Sequence, residues 1–351
     1  MSKTARNGKV DLFKFIFSIV VIIYHFGNAV KFDNELFNKG YIGVEFFFIV
    51  SGFLFAKSLA KIPYHKETLP ADSVHFMWRK YKSFLPYHFF TFVCTFITAS
   101  IISQWNISNI AFELANSIPD FFMIQINGVS KMSLLGHEWY ISAMLIAMFV
   151  LTPFVIKFRD IFLKYIAPAL AFFILALLFR SYGNLNAVGA WIGVFNSGFL
   201  RALAEISLGC VCFAVSEKGF IEKFPKPVLI ITELTLYTLV ILYANKSLGS
   251  VSELSIVIML AFAVTISFSP KSSLAFLNNK FVLFLGKISF PIYLTQIFVR
   301  QALVKSNLGL DYFSYMGLYV FTVIAVSLLC ILICDSIVNF IHKNINKPTA
   351  V

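Results

Sequence analysis

The stretch DLFKFIFSIVVIIYHFGNAV, residues 11–30, is a mostly apolar run that carries a lysine and a histidine within it. About 20 apolar residues in an α-helix cross the hydrocarbon core of a bilayer. The step from Lys14 to His25 returns to nearly the same face of a helix, at about 100° per residue, and rises about 16 Å. The stretch therefore predicts a membrane-spanning helix with a cation in its inner half and an imidazole towards its outer half.

The composition extends this prediction to the whole chain. Apolar residues make up 59% of the 351 residues and charged residues 13%, with 42 Phe and a mean hydropathy of +0.81. A soluble domain carries about 25% charged residues, so these values exclude a soluble fold. We predict a single membrane domain over residues 1–351. The net charge of +12 does not indicate nucleic acid, because the basic residues lie in short loops between apolar runs.

Apolar windows of spanning length predict an all-α fold, a polytopic membrane bundle of about ten transmembrane helices. A transmembrane barrel would need short alternating strands instead. The predicted spans are residues 11–30, 40–57, 84–103, 138–156, 164–180, 199–216, 227–244, 254–269, 281–299 and 314–338.

Lys and Arg residues set the predicted orientation. Most of the 29 fall in the loops that face the cytoplasm when the N-terminus does, so we expect both termini to be cytoplasmic. The basic head before the first run has no small-residue cleavage pattern after it, which predicts an uncleaved first helix. The basic residues on the predicted outer side are Lys31, Lys39, Lys131, Arg180, Lys246, Arg300 and Lys305.

Ionisable residues inside predicted spans are the candidates for function, because a charge in hydrocarbon costs several kcal/mol. Glu45, one turn inside the second span, should lie at a depth like that of His25. A carboxylate beside a histidine raises its basicity, so we expect His25 to act as a general base with Glu45 as its partner. A core histidine bonded to a carbonyl, or a structural ion pair, is the alternative.

Further polar residues gather at the predicted helix ends. The outer set predicts a substrate pocket. Alternatively, its arginines extend to the membrane interface, and its tryptophan belongs to the aromatic belt at that interface. This set is His137, Glu138, Trp139, Arg201, Glu205, Gln296 and Arg300. The inner set predicts an anion-binding mouth, with anionic lipid or topology alone as alternatives. It is Lys14, Arg79, Lys80 and Lys82. The five cysteines have no metal-ligand or disulfide spacing and predict buried thiols.

Four stretches resemble acyltransferase family 3, the bacterial integral-membrane proteins that O-acylate surface glycans and related acceptors. DLFKFIFSIVVIIYH is similar to the family's opening signature of a basic residue, ten residues and a histidine, here Lys14 and His25. The others are GVEFFFIVSGFLF, WRKYKSFLP, and the pair HEWYISAML with LGKISFPIYLTQIF. Glu45 stands where an Asp is more usual, Ser83 where a basic residue is common, and Gln296 where many members have histidine, so no titrating role is assigned to Gln296.

The resemblance implies an O-acyltransferase of the bacterial inner membrane. It would move an acyl group, with acetyl expected, from cytoplasmic acyl-coenzyme A to a hydroxyl of a glycan or lipid-linked sugar. His25 would be the general base or carry the acyl group transiently, and Lys14, Arg79, Lys80 and Lys82 would bind the donor phosphates. No permanently bound cofactor or metal is expected, and glycan-assembly proteins are candidate partners. The rival hypotheses are a proton-coupled transporter or flippase of a lipid-linked saccharide, and a non-catalytic scaffold.

Overall fold

The computed structural model describes residues 6–30, 36–126, 133–245 and 252–345. Within these ranges the chain is almost entirely helical, with one short antiparallel hairpin of Trp191–Ile192 and Phe195–Asn196. The α-helices are α1 (Gly8–Val30), α2 (Gly43–Leu59), α3 (Leu69–Ile102), α4 (Ile107–Asn116), α5 (Ile118–Phe121), α6 (Trp139–Lys157), α7 (Arg159–Ile161), α8 (Ala167–Tyr182), α9 (Ser197–Glu217), α10 (Lys226–Ala244), α11 (Glu253–Ser267), α12 (Lys280–Ser306) and α13 (Tyr312–Ile345).

The predicted polytopic bundle is confirmed. In the described part of the chain, nine helical segments are long and apolar enough to cross a membrane. The predicted span 254–269 corresponds to α11, which is apolar but only 15 residues long. Lys31, Lys131 and Lys246, which were assigned to the outer side, lie outside the described residues.

The third helix begins well before its predicted window. α3 starts at Leu69, with a proline in its first turn, where a helix tolerates one. The Thr68 hydroxyl also donates to the Asp72 carboxylate at 2.7 Å across this start. Arg79, Lys80 and Lys82 therefore lie on the helix and not in the preceding loop.

Two close helix pairs form the centre of the bundle. α2 crosses α9 where Gly52 lies against the backbone of Ile206 and Gly209 lies against that of Ile49, so neither position has room for a Cβ. α1 packs along α12, with Gly286 against the Asp11 side chain. Glycine at such crossings lets membrane helices approach closely, which gains dispersion energy that lipid does not offer.

The two described ends of the chain lie at the same end of the bundle. Asp11, near the start of α1, touches α12 at Gly286. The next residue, Lys287, forms an ion pair of 2.5 Å with Asp335 near the end of α13. Both described ends therefore lie at one end of the bundle, as ten crossings would require when α11 is counted with the nine longer segments. The assignment of that end to the cytoplasm remains a prediction from the distribution of charge.

Candidate functional site

A cavity of about 470 Å³ opens at the predicted cytoplasmic end of the bundle. It lies between the start of α1, the end of α2 and the segment 268–278. Its charged lining is strongly basic, with Arg6, Lys9, Lys14, Lys57, Lys61 and a single carboxylate, Asp11. Such a lining suits a ligand with several negative charges.

Some of these cations already have protein partners. Asp11 accepts from Arg6 at 2.9 Å and from Lys14 at 3.3 Å. The buried Lys9 amine binds Glu233 at 2.7 Å. Lys57 and Lys61 are exposed and form no ion pair with the residues that the structure describes. These two lysines therefore carry the charge that is free to bind an anion.

The predicted inner set is only partly brought together. The charge of Lys80 interacts with that of Lys14, but Lys80 does not line the basic cavity. Arg79 and Lys82 are exposed, and the Lys82 amine lies 4.9 Å from the centre of the Trp78 ring. Residues two apart on a helix point to nearly opposite sides, so Lys82 cannot face Lys14 when Lys80 does. Neither Arg79 nor Lys82 lines the basic cavity.

His25 is half-buried, whereas its chain neighbours Tyr24 and Phe26 are buried. Its backbone carbonyl accepts a hydrogen bond of 3.0 Å from Nη1 of Arg300. Its imidazole contacts the Tyr24 ring but forms no hydrogen bond within the described residues. The imidazole therefore has no described hydrogen-bond partner to hold it, and it does not line either described cavity.

A second cavity, of about 800 Å³, lies one turn beyond His25 at the other end of the bundle. It is bounded by the outer ends of α1, α3 and α12. Arg300 joins it to the histidine, since this side chain both lines the cavity and binds the His25 carbonyl. The polar lining consists of Asn28, Ser103, Arg300, Gln301, Lys305 and Asn307.

The expected pairing of Glu45 with His25 is wrong. Both Glu45 oxygens bind the Arg201 guanidinium, with Oε2 at 2.9 Å from Nε. Glu205 adds a second carboxylate at 3.6 Å, and the Trp139 ring lies 5.3 Å from the same guanidinium. Glu45 lies here because its helix packs on α9, the helix that carries Arg201. Arg201 is 2% exposed, so it does not extend to the interface.

A third polar group surrounds the start of α6. Nδ1 of the buried His88 lies 2.6 Å from Glu138 Oε2, and Nε2 lies 3.1 Å from the Phe121 carbonyl. A carbonyl can only accept, so Nε2 carries a hydrogen and the remaining proton of the pair lies between Nδ1 and Oε2. His137 Nε2 similarly faces the Leu294 carbonyl at 3.2 Å. Nδ1 of this second histidine is buried without a partner.

Gln296 belongs to the same group through α12. Its amide nitrogen donates to the Tyr293 carbonyl at 2.9 Å, while its amide oxygen has no partner. The Tyr293 hydroxyl in turn donates to the His137 carbonyl. Gln296 is buried and its described hydrogen bond stays within α12, so Tyr293 and not Gln296 makes the bond to the segment before α6. Gln296 does not line the outer cavity.

The segment before α6 is fixed by a buried carboxylate, Asp120. It accepts from the Ser133 hydroxyl at 2.5 Å and from the Leu134 amide at 3.1 Å. Burial raises the pKa of this carboxyl above its ordinary value, and the two hydrogen bonds partly offset that rise. The segment thereby presents His137 and Glu138 to the interior.

The predicted outer set thus divides into three groups. Arg300 is at the outer cavity beside His25, Arg201 with Glu205 and Trp139 is at the α2–α9 contact, and His137, Glu138 and Gln296 are at the start of α6. Sequence reasoning missed His88. Its position inside an apolar run of the third span is the same signal that identified His25.

Comparison with known proteins agrees with this architecture. The acyltransferase domain family matches residues 7–335, nearly the whole chain. No curated protein and no solved structure matches it. The matched region contains α1 with Lys14 and His25, the lining of the outer cavity, and that of the inner cavity except Arg6. The chain therefore belongs to acyltransferase family 3 and is a multi-pass membrane acyltransferase.

Proposed function

We propose that this protein is an O-acyltransferase of the bacterial inner membrane. It transfers an acyl group, acetyl in the simplest case, from cytoplasmic acyl-coenzyme A to a hydroxyl of a glycan or lipid-linked sugar near the outer face. The donor occupies the basic inner cavity and the acceptor occupies the outer cavity. The modified glycan then passes to the proteins that assemble the surface polysaccharide.

The inner cavity supports the donor half of this proposal. Coenzyme A carries several phosphate charges, and ammonium groups form short, strong hydrogen bonds with phosphate oxygens. Lys57 and Lys61 supply free amines at the rim, while Lys14 lies deeper, tied to Asp11. The donor phosphates therefore bind at Lys57, Lys61 and Lys14, with Lys80 beside them, and Arg79 and Lys82 contribute less.

His25 supports the chemical half. Its imidazole takes the proton of the acceptor hydroxyl as the oxygen attacks the thioester carbonyl. The carbon–sulfur bond breaks, and the proton on the imidazole passes to the leaving thiolate, so that the products are an ester and free coenzyme A. In the alternative course the imidazole nitrogen first receives the acyl group and then delivers it to the hydroxyl.

One observation carries the proposal, the course of α1 between the two cavities. Lys14 on this helix lines the inner cavity, and the carbonyl of His25 on the same helix binds Arg300, which lines the outer one. The separation of about 16 Å along the helix is a distance that an extended acyl-carrying arm can bridge. A single rigid element therefore fixes the anion site and the imidazole relative to each other.

The test is acyl transfer from labelled acetyl-coenzyme A by membranes that contain the wild type, His25→Ala or His25→Gln. The proposal expects label in glycan with the wild type and a loss of about a hundredfold or more in both variants, since general-base catalysis contributes that much. Equal membrane levels of the three proteins exclude a folding defect. Undiminished transfer by both variants removes His25 from the chemistry. Saccharide transport without turnover of acyl-coenzyme A favours the transporter hypothesis instead.

A further inference from the structure

The outer cavity carries a positive charge that topology does not explain. Arg300 and Lys305 both line it, and its described lining residues include no Asp or Glu. Membrane proteins concentrate Lys and Arg on the cytoplasmic side, so two cations around one cavity at the opposite end need another reason. An anionic ligand supplies one.

The Arg300 guanidinium has capacity to bind such a ligand. One nitrogen, Nη1, donates to the His25 carbonyl at 3.0 Å. No carboxylate of the described residues forms an ion pair with Arg300. A guanidinium offers five donors in a planar fork that fits a carboxylate or a phosphate, so most of its donors remain available. Its half-buried position strengthens a charge-assisted hydrogen bond relative to one in open water.

The rest of the lining suits a sugar. Asn28, Gln301 and Asn307 bring amide groups that can bind hydroxyls, and Ala99 and Ile102 provide an apolar wall. The volume of about 800 Å³ falls within the range of pockets that enclose a small ligand.

We propose that the acceptor is an anionic saccharide whose carboxylate or phosphate is bound by Arg300 and Lys305. This inference rests on the proposed function. Arg300 is bonded to the backbone of His25 itself, so the anion is held next to the imidazole. A neighbouring hydroxyl of the same saccharide is then the group that receives the acyl chain. The acceptor proton moves to His25 and the acyl group to the hydroxyl oxygen, as in the proposed reaction, while the anionic group remains unchanged.

The experiment compares surface glycans by mass spectrometry from cells that produce no enzyme, the wild type, Lys305→Gln, Arg300→Gln or Arg300→Lys. Lys39→Gln is the matched control, because this predicted outer lysine binds the Tyr243 hydroxyl and does not line the cavity. We expect the added acyl mass on a fragment that contains a carboxylate or phosphate. Loss of one charge-assisted bond lowers acyl occupancy about tenfold in Lys305→Gln and in Arg300→Gln. Arg300→Lys retains part of the occupancy, and Lys39→Gln retains all of it.

The outcomes separate the inference from the function on which it rests. Acylation of a fragment without any anionic group, or wild-type occupancy in both glutamine variants, overturns the inference and leaves an acyltransferase of neutral sugars. An identical glycan mass with and without the enzyme overturns the proposed function, and the inference falls with it. Chemical removal of phosphate from the acylated fragment distinguishes a phosphate source from a sugar carboxylate. Immunoblots of the membranes verify that each variant is present at the wild-type level.

Discussion

His88 and Glu138 share one proton in the interior of the bundle, across 2.6 Å between Nδ1 and Oε2. The pair joins the middle of α3 to the start of α6, and both side chains are essentially inaccessible. Removing one member leaves the other buried without a partner, which typically costs about 3–5 kcal/mol for an ionic pair. The pair therefore holds the start of α6, and with it His137, against α3.

We expect Glu138→Ala to lower the thermal unfolding temperature of the purified protein strongly, and His88→Ala to do the same. The double variant His88→Leu/Glu138→Leu should recover part of the loss, because two apolar side chains leave no uncompensated polar atom. Unfolding in detergent, followed by tryptophan fluorescence, measures the three melting temperatures. If the double variant melts as far below the wild type as the sum of the two single variants, the residues do not act as a pair.

The close crossing of α2 and α9 makes a second prediction. A Cβ at Gly52 or Gly209 would meet the backbone of the facing helix, and backbone atoms cannot rotate away. Gly52→Ala and Gly209→Ala should therefore each destabilise the protein by about 1–3 kcal/mol or more, as overpacking does.

Gly317 on α13 is the control for this prediction. A Cβ there would meet no neighbouring atom within 4 Å. Gly317→Ala should therefore leave stability unchanged or raise it by up to about 1 kcal/mol, the helix-propensity difference. Comparable melting temperatures for all three variants would show that the α2–α9 contact is looser than the structure has it.

Hydrophobic run length was sufficient to predict the long helices, because each crossing must satisfy its backbone hydrogen bonds within itself. It did not predict the short helix α4. Run length failed at the start of α3, where Arg79, Lys80 and Lys82 lower the hydropathy of a segment that is nevertheless helical from Leu69. Periodicity along one helix related Lys14 to His25; in the structure Lys14 lines the inner cavity, and the His25 carbonyl binds Arg300, which lines the outer cavity.

Contacts between helices were not predictable in the same way. Equal depth made Glu45 a plausible neighbour of His25, but depth does not specify the direction in which a helix face points. The crossing at Gly52 and Gly209 turns Glu45 towards Arg201 instead. Such a direction depends on which helices are adjacent, and a single sequence contains no measurement of adjacency.

The free lysines of the inner cavity give a third prediction. If Lys57 and Lys61 bind donor phosphates, Lys57→Gln/Lys61→Gln should raise KM for acetyl-coenzyme A about tenfold and leave kcat within about twofold, the pattern of lost ground-state binding. Added salt should raise the wild-type KM towards that of the variant, because exposed charges are screened. Initial rates at several ionic strengths measure both effects.

Arg79→Gln/Lys82→Gln is the matched comparison, since it removes the same charge from the exposed face of α3. It should change KM by much less, because neither residue lines the cavity. A larger KM effect in this second variant would place the donor phosphates along α3 and reject the inner cavity as their site.

The last prediction separates two roles for Glu45. Glu45 is bound by Arg201 in a site with no solvent access, so its role should be to stabilise the fold. Glu45→Gln should therefore melt at a temperature well below that of the wild type. Arg201→Lys keeps the charge but loses the planar fork, so its melting temperature should lie between those of Glu45→Gln and the wild type. In the Glu45→Gln protein that remains folded, the pH profile of acyl transfer should match that of the wild type, because no bond links Glu45 to His25. A shifted profile at an unchanged melting temperature would mean that Glu45 polarises the imidazole during turnover, which requires a rearrangement that breaks its bonds to Arg201.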